Sequence, residues 1–288
     1  MKIIAVPPTP SDPFDFEERF TEGPDGSRLL LRTARVAGPV RAEVIVTHGL
    51  GEHSARYTHV ARALAAKGFR VRTYDLRAHG RSAGRRGDVP DYALFLSDLA
   101  TVIREIPQSG APRFLLGHSL GGQITLSYLL ERGGDFAGAV IASPWLRLAF
   151  RPAGWRRALA RATLELWPGF RQRTPRDPRR LSRDAEHLAT LPGPELMHHR
   201  LSTRLYFAVV RRGQGLLDAA PRFTSAMFLF HGGDDRVTSM EATREFFERA
   251  GSVDKQFRIY PEARHETFND FGREQVLRDV SDWMEARV

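Results

Sequence analysis

The sequence predicts an α/β domain: a mostly parallel sheet with helices on both faces, interrupted late in the chain by a helical insertion. Three observations predict it. Short β-branched apolar runs alternate with helically spaced segments up to residue 142, the rhythm of strands joined by crossover helices. The alternation breaks over residues 145–222, which are Arg- and Pro-rich, and resumes at residue 226. The 288 residues are 42% hydrophobic with no cysteine, enough apolar surface to bury a core and incompatible with a disulfide scaffold or cysteine-ligated metal.

Each element has its own signal. Lys2 is followed only by Ile3 to Val6 before Pro7 and Pro8, too short for a secretory or membrane-spanning segment, so a cytoplasmic protein is expected. Ser27 to Ala37 alternates as an early strand, and Glu43 to Thr47 is a β-branched run ending at His48-Gly49, as suits a buried parallel strand. Ala55 to Lys67 has helical spacing and stops at Gly68; Phe69 to Tyr74 reads as a strand, and Tyr92 to Ile106 as a helix closed by Pro107. Arg113 to Leu116 and Ala137 to Ala142 are further strands, separated by a helix from Leu120 to Glu131. After the insertion come a strand (Ala226 to Phe230), a helix (Met240 to Ala250), a strand (Gln256 to Tyr260) and a last helix near Arg273 to Ala286.

Charge is concentrated in the insertion. The chain has 43 Lys and Arg against 34 Asp and Glu. Residues 145–222 hold 16 Arg and 6 acids, or +10, and the remainder 27 basic and 28 acidic residues, or −1. With no finger, ribbon or stacking motif and a neutral remainder, nucleic-acid binding is not expected.

The chemistry-bearing residues follow strand ends. Gly117-His118-Ser119-Leu120-Gly121 fits G-x-S-x-G between a predicted strand and a predicted helix, the context in which a tight turn lifts a serine above a sheet. Residues without Cβ relieve crowding on either side of such a nucleophile, and the helix start offers unpaired N–H groups to a developing anion. A serine needs a base, and the base a carboxylate that fixes its tautomer. Of ten histidines, His265 is selected because it follows the last predicted strand and lies after the acid candidates Asp234 and Asp235, giving the order Ser, Asp, His of an α/β-hydrolase. His48 to His53 follows the first parallel strand, where the second oxyanion donor is expected; the N–H groups of Leu50 and Leu120 form the natural pair.

These residues resemble the monoglyceride lipase and lysophospholipase branch of the serine α/β-hydrolases. His48 to Tyr57 (HGLGEHSARY), Tyr74 to Gly84 (YDLRAHGRSAG), Gly117 to Gly122 (GHSLGG), Ser143-Pro144, Gly232 to Val237 (GGDDRV) and Tyr260 to His265 carry the resemblance in order and spacing. It implies an α/β-hydrolase fold with an eight-stranded sheet, its core formed by residues 1–144 and 223–288 and its helical cap by residues 145–222. It selects Asp235 over Asp234 as the acid, giving a Ser119–His265–Asp235 triad. It also implies hydrolysis of a lipid-like carboxylic ester, a monoacylglycerol or lysophospholipid, through an acyl-enzyme, with neither metal nor organic cofactor. Acyl transfer and small-ester or amide hydrolysis use the same triad and are the rival readings. Ala78 stands where the family usually has glycine, and Leu191 to His198 (LPGPELMH) departs from the usual cap pattern.

Within the insertion, Trp155, Leu159, Ala162 and Leu166 fall at helical spacing, with Arg157 and Arg161 off that stripe. Two readings of this basic amphipathic helix stand side by side. In one, Trp155 and Trp167 enter an anionic membrane surface while arginines meet its head groups, making the protein peripheral to the membrane. In the other, the stripe packs over the active site and the arginines are merely solvated. Leu201, Leu205, Ala208 and Val209 form a second stripe, read as packing.

Overall fold

A computed structural model describes residues 16–107, 110–174 and 177–288; the N-terminal stretch from Lys2 to Pro8 lies outside them. The first part contains β1 (Phe16–Glu22), β2 (Arg28–Ala34), β3 (Ala42–Thr47), α1 (Thr58–Ala65), β4 (Phe69–Tyr74), α2 (Ala93–Arg104), β5 (Arg113–His118), α3 (Leu120–Arg132) and β6 (Gly138–Ala142). The insertion supplies α4 (Gly154–Leu166), β7 (Arg171–Arg173), α5 (Pro178–Leu181), α6 (Ala185–Thr190), β8 (Arg200–Ser202) and α7 (Thr203–Ala219). The chain ends with β9 (Met227–Gly232), α8 (Met240–Arg249), β10 (Lys255–Tyr260) and α9 (Arg273–Glu285).

Eight strands form one sheet in the order β1-β2-β4-β3-β5-β6-β9-β10. All its pairings from β4 to β10 are parallel, and β2 is antiparallel to both neighbours. This is the expected α/β-hydrolase architecture. Period-two alternation assigns each strand residue to a face. Ile45, Leu115, Ile141 and Leu229 enter one core with the apolar faces of α2, α3, α7 and α8. Val44, Phe114, Val140 and Phe228 enter the other with α1 and α9. The edge strand β1 was not anticipated: its sequence, FEERFTE, is charged and only partly buried, as protected sheet edges are.

The insertion behaves differently along its length. In α7 the second stripe is packed as read, with Leu205 and Val209 buried in the same core as α3. Helix α4 buries none of its residues. Its stripe faces outward, leaving Trp155 65%, Leu159 61% and Leu166 87% exposed, and the reading in which this stripe packs over the active site is not met. The short β7–β8 hairpin was also unforeseen, since three-residue strands carry no readable period. Part of the insertion's positive charge is consumed internally. Arg204 makes two 2.7 Å contacts to Asp88, Arg183 reaches Asp270 at 3.3 Å, and Arg147 reaches Glu245 at 2.7 Å, pairing the insertion to acids of the remainder.

Candidate active site

Ser119 occupies the single residue between β5 and α3, with φ 54° and ψ −116°, a strained conformation that needs support from its surroundings. The flanking glycines provide room. A Cβ on Gly117 would lie 2.5 Å from the Gly121 carbonyl oxygen, and one on Gly121 would lie 2.0 Å from the Thr47 oxygen, so α3 starts directly against β3 and β5. The turn carries Ser119 to the C-terminal end of the parallel strands.

His265 reaches the same point from the loop after β10. Ser119 Oγ lies 3.0 Å from His265 Nε2, and His265 Nδ1 lies 2.8 Å from Asp235 Oδ2. Asp235 sits just beyond β9, where its Oδ1 accepts the Val237 and Thr238 backbone N–H groups at 2.7 and 3.0 Å. Burial alone would push its carboxyl up, but His265 and His231 outweigh burial and hold it well below the usual carboxylate range. It stays ionised, as an acceptor for the imidazole must. Asp234 points elsewhere and pairs with Arg236 and Arg264 at 3.0 and 3.3 Å. The structure thus brings Ser119, His265 and Asp235 into one chain of contacts and leaves Asp234 outside it.

The two oxyanion candidates flank the serine. Leu120 opens α3, where a backbone N–H lacks an intrahelical acceptor. Leu50 lines the cavity beside Ser119, on the loop whose Gly49 passes so close that a Cβ there would lie 3.1 Å from Ser119 Cβ. His48 shapes that loop: its Nδ1–H donates to the Gly49 carbonyl at 2.8 Å, while Nε2 accepts the Leu76 N–H at 2.9 Å. Ala78 adopts φ 62°, which explains why a glycine is usual there.

Four residues given no role from sequence complete the site. Glu52 Oε1 accepts from the Gly49 N–H at 2.5 Å and the Tyr57 hydroxyl at 3.0 Å, and lies 3.2 Å from His118 Nδ1. His118 Nε2 donates to the His265 carbonyl at 3.2 Å. An imidazole that donates from both nitrogens is charged. Burial opposes that charge, but Glu52 overrides it and raises the His118 pKa. One carboxylate therefore braces the oxyanion loop and, through His118, the loop of the base. His231 contacts Asp235 Oδ2 at 2.9 Å, and the Thr238 hydroxyl contacts it at the same distance. Glu52 and His118 stood inside quoted motifs, but only the fold shows what they touch.

Ser119 opens into a cavity of about 460 Å³ between the sheet and the insertion. Leu50, Trp145, Leu148, Leu201 and Val237 give it apolar walls, and α4 closes one side with Arg156, Arg157 and Ala160.

Known proteins resemble this chain over most of its length. Residues 38–271 match the Hydrolase_4 family model, described as serine aminopeptidase, S33. A monoacylglycerol lipase of Mycolicibacterium smegmatis is 32% identical over 86% of this chain and 89% of its own. An uncharacterized abhydrolase domain-containing protein of Dictyostelium discoideum is 31% identical over 92% of this chain, which spans 28% of that longer protein. The crystal structure of the Paleococcus ferrophilus monoacylglycerol lipase superimposes with a TM-score of 0.80 at 30% identity, covering 90% of this chain and 99% of that one.

Proposed function

The chain belongs to the Hydrolase_4 family of serine hydrolases, and from its likeness to monoacylglycerol lipases we propose that it hydrolyses the carboxylic ester of a lipid-like substrate, a monoacylglycerol or a lysophospholipid. The observation that carries this reading is the Ser119–His265–Asp235 chain of contacts opening into an apolar-walled cavity. His265 takes the Ser119 proton as Oγ attacks the ester carbonyl, and Asp235 holds the imidazole and stabilises its cationic form. The Leu50 and Leu120 amides receive the oxyanion, the alcohol leaves with the proton from His265, and water then releases the fatty acid by the same steps in reverse roles.

Each buried methylene contributes about 0.8 kcal/mol, so kcat/KM for soluble esters should climb roughly fourfold per carbon until the cavity is full. A flat or falling series from acetate upward would favour a small-ester enzyme instead. The family's description raises aminopeptidase activity as a second reading. A free α-amino group needs an unengaged carboxylate, whereas Glu52 and Glu266 are both paired with Arg56, and Asp177 with Arg179. Turnover of aminoacyl arylamides above that of esters would reverse this preference.

The finer proposal concerns where the substrate is met. The outward stripe of α4, with Trp167 beyond it also 60% exposed, and the exposed Arg161 suit contact with an anionic membrane surface. No helix among the described residues is long and apolar enough to cross a membrane, so the contact would be peripheral. Vesicle sedimentation tests it: the protein should pellet with anionic vesicles at low salt, less at high salt, and far less after W155S/L159S/L166S. A wild type indifferent to anionic vesicles would refute it.

A further inference from the structure

The cavity's charged walls point to the head group. Its carboxylates are engaged, as described above. Arg156, Arg157 and Arg180 on the insertion side form no direct ion pair among the described residues, although Asp177 beside them feels the Arg180 charge. Arg156 leans on the Trp155 ring, with its guanidinium carbon 5.1 Å from the ring centre. Arg180 lies 5.2 Å from the Phe150 ring centre and donates to a backbone carbonyl of Arg236. Arg157 belongs to the same wall, and its charge opposes the rise that burial imposes on the Tyr206 phenol on α7, so its field crosses into the cavity. Other arginines of the insertion, including Arg147, Arg183 and Arg204, are paired with carboxylates.

Resting on the ester-hydrolase reading, we propose that this site selects esters whose alcohol carries an anionic, phosphate-bearing head group, bound by Arg156, Arg157 and Arg180, over neutral monoacylglycerols. Guanidinium groups match phosphate oxygens with paired, charge-assisted hydrogen bonds. A neutral glycerol would gain none of these charge-assisted contacts. The apolar walls by Ser119 would take the acyl chain. Arg157 sits on the side of α4 opposite Trp155 and Leu159, whereas Arg156, next to Trp155 and leaning on its ring, borders the apolar stripe, so head-group binding draws in part on a different face of the helix from membrane contact.

The test compares 1-octanoylglycerol with 1-octanoylglycerol-3-phosphate, in vesicle-free buffer and below the concentration at which either aggregates. In parallel, calorimetry on Ser119→Ala compares decyl phosphate with 1-O-decylglycerol. The phosphate-bearing member should be favoured about tenfold or more both in kcat/KM and in affinity, and the ratio should shrink with salt. R156Q/R157Q should bring both ratios toward one, while R211Q/R222Q, the same loss of charge outside this cavity, should leave them. A wild-type ratio at or below one in either assay, or ratios unmoved by R156Q/R157Q, overturns the proposal. If decyl phosphate binds preferentially but neither octanoyl ester turns over, the ester-hydrolase reading fails and the anionic site stands.

Discussion

Helices α3 and α4 are each thirteen residues long, yet they stand at opposite ends of the range of burial. Every residue of α3 from Leu120 to Leu129 is buried, against none in α4. The sequences suggest the reverse. LGGQITLSYLLER has two glycines and scattered polar residues, whereas GWRRALARATLEL has a clean apolar stripe. One polar group of α3 reaches across to the insertion: Gln123 Nε2 donates to the Trp145 and Val209 carbonyls at 2.5 and 2.9 Å. Periodicity therefore locates a helix and its apolar side, but what that side meets depends on the elements around it. In α3 surroundings exist on all sides; in α4 the apolar side is left exposed by the described residues.

The contrast can be broken most sharply at the first turn of α3. Ser119→Ala should lower kcat by roughly four to six orders of magnitude with the fold intact by circular dichroism, and a serine-directed phosphonate should label Ser119 alone. Full activity, or labelling at Ser54, Ser82 or Ser143, would remove α3 from the chemistry.

Next in size is the acid. Asp235→Asn should cost on the order of 10⁴ in kcat by allowing the wrong imidazole tautomer, and Asp234→Asn far less. Steady-state kinetics on the two variants decides it; equal losses would detach the buried pair from its role.

Stability measures the two helices directly. Leu126, fully buried, should cost about 2–5 kcal/mol on replacement by alanine, whereas Leu159→Ala should stay within about 0.5 kcal/mol. Urea denaturation of both variants is the measurement, and a large loss at Leu159 would mean that α4 has an intramolecular partner after all.

A last effect, read by pH, lies outside both helices, in the loop that carries His53. Burial lowers the His53 pKa from 6.5 to about 4, so the folded state binds fewer protons there than the unfolded state. This destabilising difference is negligible above the unfolded pKa and grows as pH falls from 6.5 toward 4, at up to about 1.4 kcal/mol per pH unit. Neither α3 nor α4 contains a histidine, so this slope belongs to the loop before α1. Melting temperatures at pH 7, 5.5 and 4.5 should fall, and less steeply for His53→Gln; parallel curves would show that His53 is not held neutral.

Much of the architecture was legible in sequence because buried strands carry β-branched and aromatic residues between turn signals, even where charges are interleaved as in β4. Phe69 to Tyr74 was read to its ends and forms β4, while Glu43 to Thr47 fell one residue short of β3. The glycine spacing around Ser119 was readable for a related reason: a strand-to-helix turn at that density tolerates no Cβ. Choosing Asp235 over Asp234 needed the family resemblance, since both follow the same strand. The edge strand β1 and the β7–β8 hairpin escaped because partial exposure or shortness erases a period.

By itself, then, the sequence determined the alternation of the central strands and helices, the strand-end positions of Ser119, His265 and the Asp234-Asp235 pair, and the existence of an amphipathic α4, all of which follow from local periodicity and steric demand. Tertiary structure alone decided that Glu52 and His118 brace the loops around the serine, that arginines of the insertion pair with distant acids, and that α4 turns its apolar stripe outward and two arginines toward the cavity. These are matters of contact between residues far apart in the chain, and no spacing within one segment encodes its neighbour across the fold.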